Sequence, residues 1–71
     1  MRKLALRRRL EDYRNFVVKH HRINREDMAR IGEISITQAS QDMKALMEDF
    51  PNLGLVYDRS LKTFVATGIK E

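Results

Sequence analysis

The 71-residue chain contains no cysteine. That absence excludes a disulfide framework and a thiolate zinc site, and its two histidines, His20 and His21, are adjacent instead of at metal-ligand spacing. No metal site and no cofactor are expected. No apolar run approaches the length of a membrane span. The N-terminus, MRKLALRRRL, is basic but lacks an apolar core and a small-residue cleavage site, so a chain that stays inside the cell, off the membrane, is expected. Nor is there a nucleophile and base at useful spacing, a glycine-rich phosphate loop or a carboxylate dyad in an apolar setting. The chain reads as a non-enzyme with no small-molecule ligand in evidence. It also lacks repeats, linkers and low-complexity segments. With 42% hydrophobic residues it can still form a core, which makes residues 1–71 one domain near the lower size limit for self-sufficiency.

Cations outnumber anions, giving a net charge of +4. Such a balance favours an anionic partner, and its distribution is uneven. Residues 1–30 hold ten Lys/Arg against four Asp/Glu, whereas residues 31–71 hold four against six. The basic character therefore lies on the first third of the chain and the approach to the next element.

From about Lys3 to His20 there is no Pro or Gly, and Leu6, Leu10, Tyr13 and Val17 recur at helical spacing, which predicts a long amphipathic first helix. Glu11 with Arg14 and Arg8 with Asp12 are placed to pair on its surface. The run Arg7–Arg9 is a solvated face or a phosphate contact. Asn24 is a good N-cap with acids Glu26 and Asp27 behind it, so a short second helix is expected over Arg25–Ile31, stapled by Ile23 and Met28 and ended by a left-handed Gly32. A third helix is expected over Ile36–Asp49. It opens on a capping box in which the Ser35 hydroxyl accepts from the Gln38 N–H and the Gln38 side chain reaches back. It stops ahead of the single proline, Pro51. Leu55–Tyr57 and Thr63–Ala66 are β-rich runs around a turn, hence a hairpin in which Leu55, Tyr57, Phe64 and Ala66 share a face. Tyr57 is expected in the core, and the tail from Thr67 is expected to fray.

On the third helix Ile36, Ala39, Met43 and Leu46 fall on one side and Thr37, Gln38, Gln41 and Lys44 on the other. That outward face is short, polar and amide-rich, which suits hydrogen bonding to base edges. Helix, short helix, turn, helix, hairpin is the order of a winged helix-turn-helix, mainly α with a small two-stranded wing. The spacing inside the pair agrees with it. Ala29 is small where two helices cross, Ile34 lies five residues on, Ser35 caps, and Ala39 faces the core ten residues from Ala29. The glycine usual in the turn is replaced by Glu33, with Gly32 one position early, so the turn is a variant or one residue longer.

The segments Arg22–Asp27 (RINRED), Ile34–Asp42 (ISITQASQD) and Phe50–Lys62 (FPNLGLVYDRSLK) resemble the N-terminal winged-helix domain of bacterial WYL-domain transcriptional regulators. The likeness covers about residues 5–67. The ligand-sensing domain and C-terminal dimerisation segment of those proteins have no counterpart here, which is compatible with a small stand-alone regulator or with a domain of a longer protein. The resemblance implies that the third helix enters the major groove, with Thr37, Gln38 and Gln41 at base edges. It further implies backbone contacts from Arg25, Arg30, Ser40, Lys44, Arg59, Ser60 and Lys62. For Gln38 the alternative is a capping role alone, and for Arg59 and Lys62 ordinary solvation of the hairpin. Asp42 is expected to pair with a nearby Arg or Lys. The implied protein is a sequence-specific regulator of double-stranded DNA, a repressor binding a palindromic operator as a homodimer in the cytoplasm, on the nucleoid. Because residues 31–71 are net acidic, much of its grip is expected from the first helix, from Arg22 and Arg25, or from a second copy. The alternatives are a protein-interaction winged helix, or an architectural, excisionase-like DNA binder of a mobile element.

Overall fold

The computed structural model describes residues 2–69. The first helix, α1 (Leu4–His20), turns Leu10, Tyr13 and Val17 fully inward, with Leu6 half-buried beside them. It ends at His21, which adopts a left-handed conformation (φ 62°) and returns its N–H to the Val17 carbonyl. Neither Glu11–Arg14 nor Arg8–Asp12 is among the ion pairs of the described residues, and the Arg14 guanidinium instead lies 5.9 Å from the centre of the Phe50 ring.

Next come β1 (Arg22–Ile23), α2 (Arg25–Gly32), α3 (Ile36–Asp49), one 3-10 turn (Pro51–Leu53), β2 (Leu55–Asp58) and β3 (Thr63–Ala66). This is a winged helix-turn-helix, mainly helical with a small antiparallel sheet. The sheet has three strands in the order β1-β3-β2, one more than the hairpin predicted. Two residues are too few to show alternation, so Arg22–Ile23 carries no strand signal of its own. It becomes a strand only because β3 pairs with it, Arg22 opposite Val65 and Ile23 opposite Phe64. Across the wing, Leu55 faces Ala66 and Tyr57 faces Phe64, as alternation requires. Ile23, Met28, Ala39, Leu46, Leu53 and Leu55 close one core with the α1 stripe.

Three local expectations are corrected. A complete capping box forms at α2, where Asn24 Oδ1 accepts from the Asp27 N–H (2.7 Å) and the Asp27 carboxylate accepts from the Asn24 N–H (3.2 Å). At α3 only half of one forms. Ser35 Oγ accepts from the Gln38 N–H at 3.1 Å, but the Gln38 side chain donates to Asp42 instead. Second, Gly32 is the last residue of α2, and the left-handed position falls on Glu33 (φ 53°). The turn between α2 and α3 therefore keeps its length, with the Ile34 N–H also returning to the Ala29 carbonyl at 3.1 Å. Third, the chain beyond β3 does not fray at once. Thr67 donates to the Gly54 carbonyl from both its N–H (2.9 Å) and its hydroxyl (2.7 Å), the Gly68 N–H reaches the Leu53 carbonyl, and Ile69 packs on the core. Lys70 and Glu71 lie outside the described residues.

Candidate nucleic-acid interface

Helix α3 buries Ala39, Asp42, Met43, Ala45 and Leu46 and leaves Thr37, Gln41 and Lys44 exposed on one ridge. These three carry no hydrogen bond from their side chains to other described residues, so their polar groups are free for a ligand. Ser40, on the flank of the ridge, donates to the Ile36 carbonyl (3.2 Å) and accepts from Arg25 Nη1 (3.3 Å). Arg25 stands at the first position of α2, so this contact ties the start of α2 to the first turns of α3. The same Arg25 lines a cleft of about 240 Å³ together with Asn24, Glu26, Tyr57, Lys62 and Phe64. Arg25, on α2, thus touches α3 and lines a cleft whose other side is the wing.

The wing tip, Arg59–Lys62, is exposed throughout. Its turn is closed by Asp58 Oδ1 accepting from the Leu61 N–H at 3.0 Å, with Lys62 in a left-handed conformation (φ 55°) that restores the strand direction. Tyr57 is not core. It is 50% exposed, set edge-on to Phe64 with ring centres 5.2 Å apart, and its position on the cleft is what sequence reasoning missed. Alternation put it on the same face as Leu55, but only Leu55 is covered by the core. Arg30 is exposed and paired with Asp27 at 2.7 Å, and it does not line the cleft.

Behind the ridge lies a buried polar group. The Asp42 side chain is 1% exposed. Its Oδ2 accepts from Arg9 Nε (2.8 Å) and the Tyr13 hydroxyl (2.6 Å), and its Oδ1 accepts from Arg9 Nη2 (3.2 Å) and Gln38 Nε2 (3.0 Å). Burial disfavours the charged carboxylate, but the hydrogen bonds from Arg9, Tyr13 and Gln38 outweigh it and hold Asp42 below the ordinary carboxylate value. The same burial, with Asp42 alongside, pushes the Tyr13 hydroxyl well above its ordinary value, so it stays protonated and donates. The expected partner of Asp42 is thus Arg9. The tyrosine was hidden in the sequence because its place in an apolar stripe accounts for it fully.

Pairing also changes the charge of this face. Arg2 reaches Asp49 (3.2 Å) and Glu48 (3.7 Å), and Arg9 holds Asp42, so every acid on α3 faces a cation from the N-terminal part of the chain. The acidic balance of residues 31–71 is offset locally, and Arg9, from the run read as a solvated face or a phosphate contact, neutralises α3 instead. Among the described residues no group of three or more His, Asp or Glu side chains is placed to hold a metal, and no helix is long and apolar enough to cross a membrane.

Comparison of the chain with protein-family models, with curated proteins and with solved structures gives no match.

Proposed function

We propose that this protein is a sequence-specific double-stranded DNA-binding regulator, acting as a transcriptional repressor on the nucleoid, of the kind whose N-terminal domain its motifs resemble. One observation carries the proposal: Arg25 joins the exposed polar ridge of α3 to the cleft that it shares with Tyr57 and Lys62 of the wing. In this reading α3 enters the major groove, Thr37 and Gln41 meet base edges, and Lys44, Arg25, Arg59, Ser60 and Lys62 meet the backbone on either side. The activity needs neither catalysis nor a cofactor. Two copies on a palindromic site double the cationic contacts of a single small domain.

The test is binding to duplex DNA at low salt, followed by selection of sites from a random pool. Thr37→Ala with Gln41→Ala is expected to abolish preference at the positions those two side chains face and to weaken binding to the selected site towards the salt-dependent, non-specific level. Arg25→Ala with Lys62→Ala is expected to weaken binding to all sequences and to lower the log–log salt slope by about two. Absence of any duplex binding at low salt overturns the proposal. Sedimentation equilibrium addresses the dimer, and a monomer both alone and on the selected site overturns that part.

A further inference from the structure

Gln38 sits next to the ridge, half-buried, with its carboxamide held from behind. The Asp42 carboxylate that faces it receives four donors in all, two from Arg9, one from Tyr13 and one from Gln38, which occupies its lone-pair directions. An ionised carboxylate only accepts, so the edge of the Gln38 amide turned to it must be the NH2 group. The other edge, Oε1, has no partner among the described residues. No buried side-chain oxygen there lacks one, so Oε1 reaches solvent. A glutamine free to use both edges pairs with adenine through N6 and N7 together, but here the donor edge is spent inside the protein.

Resting on the DNA-reading proposal above, we infer that Gln38 acts on the reading helix as an acceptor alone, locked by Asp42, and that it selects a base carrying an exocyclic amino group in the major groove: adenine through N6 or cytosine through N4. Guanine O6 and thymine O4 would set acceptor against acceptor and are rejected. Asp42, with Arg9 and Tyr13 behind it, is a positioning residue that touches no base. Arg9 and Tyr13 belong to α1, so the first helix contributes to sequence choice without approaching DNA.

The experiment uses the whole chain and duplexes carrying base analogues. Sites are selected with the unaltered protein and with Gln38→Ala, and the position whose preference disappears in the variant is taken as the one Gln38 faces. Every pair carries one major-groove amino group, on adenine or on cytosine, and the base with that amino group is expected to be the one Gln38 needs. If it is adenine, replacing it by purine, which lacks the amino group, is expected to weaken binding about tenfold, while 7-deazaadenine, which lacks N7, changes it by less than about twofold. If it is cytosine, a pyrimidinone lacking the amino group gives the same loss. Both effects vanish in Gln38→Ala. Asp42→Asn, whose amide can show Gln38 either edge, is expected to accept both orientations of the pair at that position and to lose the dependence on its amino group; the analogue measurements stand without this variant should it fold poorly. Binding by the unaltered protein that is unchanged when the exocyclic amino group of that pair is removed overturns the inference, as does a loss with 7-deazaadenine equal to that with purine. A selected site that depends on Thr37 and Gln41 but not on Gln38 overturns this inference alone, whereas failure to select any site overturns the DNA-reading proposal beneath it.

Discussion

The left-handed turn expected at Gly32 falls one residue later. The left-handed turn residue, where a glycine is cheapest, is Glu33 at φ 53°, while Gly32 lies in the helix, where glycine is costly. The reason is contact. A Cβ on Gly32 would stand 2.6 Å from the Tyr13 hydroxyl and 3.0 Å from Arg9 Cδ, the two groups that hold Asp42. Opposite outcomes follow at adjacent positions. Gly32→Ala is expected to destabilise by about 1–3 kcal/mol despite the better helix propensity of alanine, because the buried tyrosine must shift. Glu33→Gly is expected to stabilise by about 0.5–1 kcal/mol by relieving the left-handed strain. Urea midpoints of the two variants check both signs. The sequence offered a glycine beside a turn, and the turn was the economical use for it; the close approach of Tyr13 comes from a residue nineteen positions away and has no local signal.

At the scale of elements, α1 and α3 are joined by the Arg9–Asp42–Tyr13 group as well as by apolar packing. Removing the carboxylate leaves Arg9 without its partner, so Asp42→Asn is expected to cost about 2–3 kcal/mol at neutral pH, less than a fully enclosed pair because the Arg9 side chain is 23% exposed and can rehydrate. The pH dependence has a definite sign. The folded-state carboxyl is held below its ordinary 3.8, so its contribution is complete above that value and is lost as pH falls through it towards the lower folded value. The stability gap between the unaltered protein and Asp42→Asn therefore narrows in acid. Tyr13 acts at the other end: its hydroxyl is raised above 10.0, so its contribution is full below that pH and is lost as pH rises beyond it. Denaturant titrations near pH 3, 7 and above 10 measure both limbs. The helices themselves were legible in the sequence, since Asn24, Ser35, Pro51 and the spacing of Leu10, Tyr13 and Val17 act within a turn or two. Which face each helix offers to the other was legible only for apolar residues, and Asp42 inside the α3 packing face was not.

For the whole molecule, the sheet closes the fold. β3 is its central strand, flanked by two residues taken from the link between α1 and α2 and by β2, and the His21 carbonyl accepts from the Ala66 N–H at 2.9 Å beyond the end of the ladder. The segment after β3 then crosses back over the Leu53–Gly54 corner. Ending the chain at Ala66 removes the Thr67 and Gly68 hydrogen bonds and the Ile69 packing, and is expected to lower stability by about 1–3 kcal/mol while the helices remain, as circular dichroism with urea titration can show. A polar, glycine-containing tail signals fraying by composition. Its anchoring depends on carbonyls at Leu53 and Gly54 that the 3-10 turn happens to leave open at that place.

The order of elements, their limits to within a residue or two, the register of the wing and the outward ridge of Thr37, Gln41 and Lys44 were determined by the sequence itself. Caps, proline and hydrophobic period act over a few neighbouring residues. Only the tertiary structure decided that Arg22–Ile23 is a strand, that Tyr57 opens onto a cleft, that Arg2 and Arg9 neutralise α3, and that one edge of the Gln38 amide is already taken. The Arg22–Ile23 strand and the Arg2 and Arg9 pairs depend on groups far apart in the chain meeting at hydrogen-bond distance, and the state of the Gln38 amide follows from the Arg9 and Tyr13 contacts to Asp42; such meetings leave no period or composition in the sequence to be seen beforehand.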